Sequence, residues 1–134
     1  MDLSKLNHIA IICAALSSFL IGGLWYSKIL FGKIWMRENG FTEEGTKNAN
    51  MVKIFGTTFL LSLIISYNLA FFLGPKADLM FGLFAGLAAG LGWVSMSLGI
   101  LYLFERKSFK LWLINAGYNI ITYTVIGIIV GAWK

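Results

Sequence analysis

Four apolar runs, at about residues 6–26, 51–73, 79–104 and 109–133, constrain this chain more than any other feature of its 134 residues. A bilayer core about 30 Å thick is crossed by roughly 20 helical residues, and each run meets that length. They contain no proline, and their only charged residues, Lys53 and Lys110, stand near the start of their runs. In hydrocarbon every backbone amide needs a partner within the protein, which leaves helices or a closed barrel, and no run alternates in polarity as barrel strands do. The expected fold is an all-α integral membrane protein. A single four-transmembrane-helix bundle occupies residues 1–134, each span an uninterrupted α-helix. With 58% hydrophobic and 13% charged residues, too little polar surface remains to cover a soluble domain.

The net charge of +5 does not point to nucleic acid, because the basic residues flank the apolar runs. Four spans put the N-terminus, the turn around Gly74–Ala77 and the C-terminus on one side, with Lys5, Lys76 and Lys134. Lys28, Lys33, Arg37, Lys47, Lys53, Arg106, Lys107 and Lys110 stand on the other. The positive-inside rule then puts the first and third connections in the cytoplasm and both termini outside it. The first run is longer than a signal-peptide core and lacks a small-x-small cleavage pattern, so it is expected to stay in the mature protein.

The first connection, residues 27–50, is the only sizeable extramembrane piece. Its apolar and cationic stretch around Lys33, Trp35 and Arg37 suits a short interfacial helix anchored on an anionic leaflet. Asn39-Gly40 can end that helix in a left-handed cap, and Thr42 with Glu43 and Glu44 reads as a fresh N-terminus extending the second span.

Helices in lipid associate through close packing and hydrogen bonds, so small residues four apart mark contact faces. The first span carries Ala14, Ser18 and Gly22, the second Ser62, Ser66 and Ala70, the third Gly82, Gly86 and Gly90, and the fourth Gly127 and Gly131. Such ladders serve packing within one bundle or a seam between copies. Asn115, Tyr118, Asn119 and Thr122 share one face of the fourth span, and Asn68 is the polar counterpart in the second. Side chains of this kind either lock helix rotation or line a polar cleft.

Catalysis finds little support. One histidine, His8, and one cysteine, Cys13, share the first helix, and no His, Asp or Glu cluster has metal-ligand spacing. No cofactor motif is present, and Cys13 reads as a small buried side chain. Coupled transport places titratable groups or broken helices near the midplane, and these spans have neither.

The segments Gly23-Leu24-Trp25-Tyr26, Phe31-Gly32-Lys33-Ile34-Trp35-Met36 and Gly40-Phe41-Thr42-Glu43-Glu44 resemble the signature of the domain of unknown function 1761 family. Leu103-Phe104-Glu105 and Leu113-Ile114-Asn115-Ala116-Gly117-Tyr118 are similar to that family's second block. The resemblance implies a small four-span membrane protein of the bacterial inner membrane and brings no activity, ligand or catalytic residue.

The residues thus suggest a non-enzymatic homo-oligomer whose glycine ladders form helix seams and whose polar cleft holds a lipid or small hydrophobic ligand. The alternative is a passive channel or small-solute transporter lined by Asn115, Asn119 and Thr122.

Overall fold

A computed structural model describes residues 3–134, and no strand occurs among them. After a 3-10 turn at Leu3–Lys5 come α1 (His8–Trp25), α2 (Gly32–Asn39), α3 (Glu43–Lys47) and α4 (Met51–Leu73). They are followed by α5 (Leu79–Leu87), a π-helical segment (Ala88–Ser95), α6 (Met96–Glu105) and α7 (Phe109–Ala132). Four helices, namely α1, α4, the continuous run Leu79–Glu105 and α7, are long and apolar enough to cross a membrane. The protein is an all-α four-span membrane bundle.

Short polar side chains start each span, because the first backbone N–H groups of a helix have no partner inside it. Asn7 accepts from Ala10 N–H at 3.0 Å, Asn50 from Lys53 at 3.1 Å, Asp78 from Phe81 at 2.8 Å and Ser108 from Leu111 at 3.1 Å. Left-handed residues end other elements: Gly40 closes α2 at φ +72°, and Arg106 closes α6 at φ +59°. Lys107 N–H then reaches back to the Tyr102 carbonyl at 2.9 Å, completing a Schellman turn. Gly40→Ala should cost about 1 kcal/mol, since a Cβ is disfavoured at that φ. Faster amide exchange confined to the last turn of α2 would report it, and unchanged protection there would refute it.

Two elements depart from the sequence expectation. Thr42 does cap a helix, accepting from Gly45 N–H, but α3 ends at Lys47 and Asn50 caps α4 anew. The second span has no extension because the Asn50 side chain accepts from Lys53 N–H and starts α4 afresh. The third span is not uninterrupted α-helix either. Around Gly90 and Gly92 it widens into the π segment. Ser95 Oγ donates to the Gly90 carbonyl, five residues back, at 2.6 Å, and the Trp112 indole N–H donates to the Ser95 carbonyl at 2.8 Å.

α7 is the centre of the bundle, touching α1, α4, α5 and the π segment. Ile11, Ala14, Leu69, Ala70, Leu73, Ile126 and Val130 make one apolar core between α1, α4 and α7. The third span joins through glycine. A Cβ at Gly82 would overlap the Gly127 carbonyl, and one at Gly86 would overlap that of Tyr123. At Gly90 it would stand 2.9 Å from the Asn119 carbonyl, and at Gly131 2.6 Å from that of Asp78. Gly82, Gly86, Gly90, Gly127 and Gly131 therefore form one backbone-to-backbone seam inside the chain. The ladder from which a seam between copies was read is occupied by the chain itself.

Candidate functional site

Because the third span is drawn onto α7 by that seam, it stands away from α4 over most of its length. The space between them is a groove of about 840 Å³. Its walls are Ile65, Leu69 and Phe72 of α4 facing Phe81, Phe84 and Ala85 of α5, continued by Ala88, Ala89 and Gly92 of the π segment. Asn68, Trp93 and Tyr123 bring the polar atoms, Tyr123 from α7. Trp93 is 71% exposed, an unusual position for an indole in mid-span, since tryptophan favours the headgroup layer.

A second cavity of about 350 Å³ opens near the chain ends, between α1, α4 and α7. There Asn7 Nδ2 donates to the Trp133 carbonyl and Lys134 Nζ to the Gly74 carbonyl at 2.8 Å. Partial burial pulls the Lys134 ammonium below the ordinary lysine pKa.

The expected polar cleft is not assembled as one place. Asn68 faces the groove, whereas the other candidates turn to neighbouring helices or to their own. Asn115 accepts from the Tyr26 hydroxyl and donates to that of Tyr102, both at 2.7 Å, tying α7 to the end of α1 and to α6. Tyr118 donates to the Ser18 carbonyl at 3.2 Å, and its ring lies over Gly22, where a Cβ would sit 3.3 Å from the hydroxyl. Asn119 donates to the Asn115 carbonyl one turn back at 2.8 Å, and Thr122 is buried in the bundle.

The interfacial anchor divides in the same manner. Lys33 and Arg37 point outward from α2, one turn apart. Trp35 turns inward, edge-on to Tyr26 at 5.6 Å and to Phe41 at 5.3 Å, so it docks α2 on the bundle. Gly32 makes this docking possible, because a side chain there would strike the Tyr26 carbonyl.

A family model described as a protein of unknown function (DUF1761) matches residues 9–131. The chain belongs to this family. Comparison with curated proteins and with solved structures found no match. The match extends across all four spans of this DUF1761 protein, covering both the groove and the Asn115 cluster. No group of three or more His, Cys, Asp or Glu that could hold a metal occurs among its described residues.

Trp93 and Tyr123 were the groove residues that sequence reasoning missed as a pair. Trp93 had a signal, since a tryptophan so deep in a span breaks the interfacial preference. Tyr123 had none, because it lies beside the polar face of α7 rather than on it.

Proposed function

We propose that the protein is a non-catalytic membrane binding protein that holds a lipid or other small hydrophobic molecule in the groove between α4 and the third span. The observation that carries this reading is the groove itself: about 840 Å³, walled mainly by apolar side chains of two membrane-spanning helices. That volume lies within the range of small-molecule sites, which are mostly apolar with a few placed polar groups. The channel reading is weaker, because Asn115, Tyr118 and Asn119 spend their hydrogen bonds within the bundle rather than along a path. In the same proposal the end carrying Lys33, Arg37 and Arg106 faces the cytoplasm of a bacterial inner membrane, and the termini face away. Assembly with further copies would have to use faces other than the glycine seam.

Gly92→Leu tests the reading, since a Cβ there meets nothing within 4 Å and the added bulk enters the groove without disturbing the fold. Native mass spectra of the protein released from lipid nanodiscs should show a retained molecule in the wild type. Gly92→Leu should lose at least about nine-tenths of it, a tenfold effect worth about 1.4 kcal/mol, at unchanged melting temperature. A wild type that carries nothing, or a variant that carries as much, would end the proposal.

A further inference from the structure

Within the four spans the asparagine, tyrosine and tryptophan side chains sort sharply by partner. Trp25, Tyr67, Tyr102 and Trp112 are hydrogen-bonded, as are Asn115, Tyr118 and Asn119 of α7. Asn68, Trp93 and Tyr123 have no side-chain hydrogen bond or ring contact among the described residues, and these three line the one groove. Asn68 lies five residues inside the end of α4, about 8 Å along the helix axis at a rise of 1.5 Å per residue. Tyr123 is about 4 Å from the middle of α7 by the same measure. Trp93 is close to Ser95, whose hydroxyl reaches the Ala116 carbonyl at 3.4 Å; Ala116 is about 10 Å inside the other end of α7. All three polar groups therefore sit at hydrocarbon depth, where an unbonded donor or acceptor costs free energy and water is absent.

We infer that the groove is built for an oxygenated membrane-soluble molecule, one whose carbonyl or hydroxyl groups lie well inside the bilayer, rather than for a phospholipid acyl chain. A phospholipid keeps its oxygens in the headgroup layer and offers only CH₂ and CH₃ groups at these depths, so it leaves all three groups unbonded. Trp93 can only donate, which requires an acceptor near the midplane, whereas Asn68 and Tyr123 can donate or accept. Phe81 and Phe84 beside them supply flat aromatic surface for a ring or a prenyl chain. A prenylated quinone has this chemistry. The inference rests on the proposed groove and adds the class of its occupant.

The test compares decylubiquinone, which carries ring carbonyls on an apolar tail, with squalene, an isoprenoid with no oxygen. Each is loaded into nanodiscs with the full chain and its retention read by native mass spectrometry. The wild type should retain the quinone at a loading concentration at least tenfold below that needed for squalene. Asn68→Leu should erase that preference at unchanged melting temperature, because Asn68 bonds to nothing in the fold. Equal retention of both molecules, indifferent to Asn68→Leu but lost in Gly92→Leu, would overturn the oxygenated class and leave the groove reading standing. Retention of neither, with no nanodisc lipid retained in their place, would overturn both, whereas a retained phospholipid would overturn the oxygenated class alone. A bare dimer that Asn68→Leu dissociates would replace the ligand with a second copy of this chain, paired amide to amide across the groove.

Discussion

Gly86→Leu is expected to detach the third span from α7 and destabilise the protein by about 3 kcal/mol or more, the upper end of what overpacking costs. In an ordinary core an added methylene is absorbed by side chains that swing aside. At Gly86 the first added atom overlaps the Tyr123 carbonyl and comes within 3.0 Å of Thr124 Cα, and helix backbone cannot yield as a side chain does. Hydrogen bonds from Trp112 to the Ser95 carbonyl and from Asn115 to the Tyr102 hydroxyl also hold the span, but α6 buries none of its residues, so the glycine contacts carry most of the close packing. Reversible unfolding in mixed micelles should therefore show a large loss, and heating a midpoint lower by roughly 10 °C or more. Gly56→Leu provides the comparison. Its Cβ would meet nothing within 4 Å, and leucine suits a helix better than glycine, so stability should hold or rise slightly. If Gly86→Leu proves as stable as Gly56→Leu, the seam within the chain is not the native arrangement and the groove beside it loses its cause.

The spans were legible because twenty apolar residues admit one solution in hydrocarbon, and the end of α2 because Gly40 tolerates the left-handed turn that closes it, whereas Asn7, Asn50, Asp78 and Ser108 were not read as caps, since a short polar residue beside an apolar run suits a loop equally well. The ladder of Gly82, Gly86 and Gly90 was legible as a contact face but not as a partner, since spacing states how close a neighbour comes and not which neighbour it is. Its choice of α7 over α4 opens the groove, so the groove could not be read from either helix alone. Helical periodicity put Asn115, Tyr118, Asn119 and Thr122 on one face but could not say how far each side chain reaches. Tyrosine is long enough to cross to α1, while Asn119 turns back on its own helix. The π segment was hidden for a similar reason, because the indole that takes up the Ser95 carbonyl comes from Trp112, 17 residues away on the next span.

Asn115→Leu should cost about 2 kcal/mol, the largest effect expected of any polar substitution in the bundle. Hydrogen bonds between membrane helices are worth about 0.6 kcal/mol on average and at most about 1.7, so one lost bond would be modest. Asn115 makes two, and its removal strands both a donor, the Tyr26 hydroxyl, and an acceptor, that of Tyr102, in a half-buried setting. The loss should spread, because Tyr26 also supports Trp35 and Tyr118 through ring contacts at 5.6 and 5.3 Å. Through Trp35 the amide of α7 helps seat α2. A double-mutant cycle separates the bond from the packing: Tyr26→Phe should cost about 1 kcal/mol alone and almost nothing once Asn115 is leucine. Additive losses would show that the 2.7 Å contact contributes no coupling, and that Tyr26 holds α2 by its ring alone.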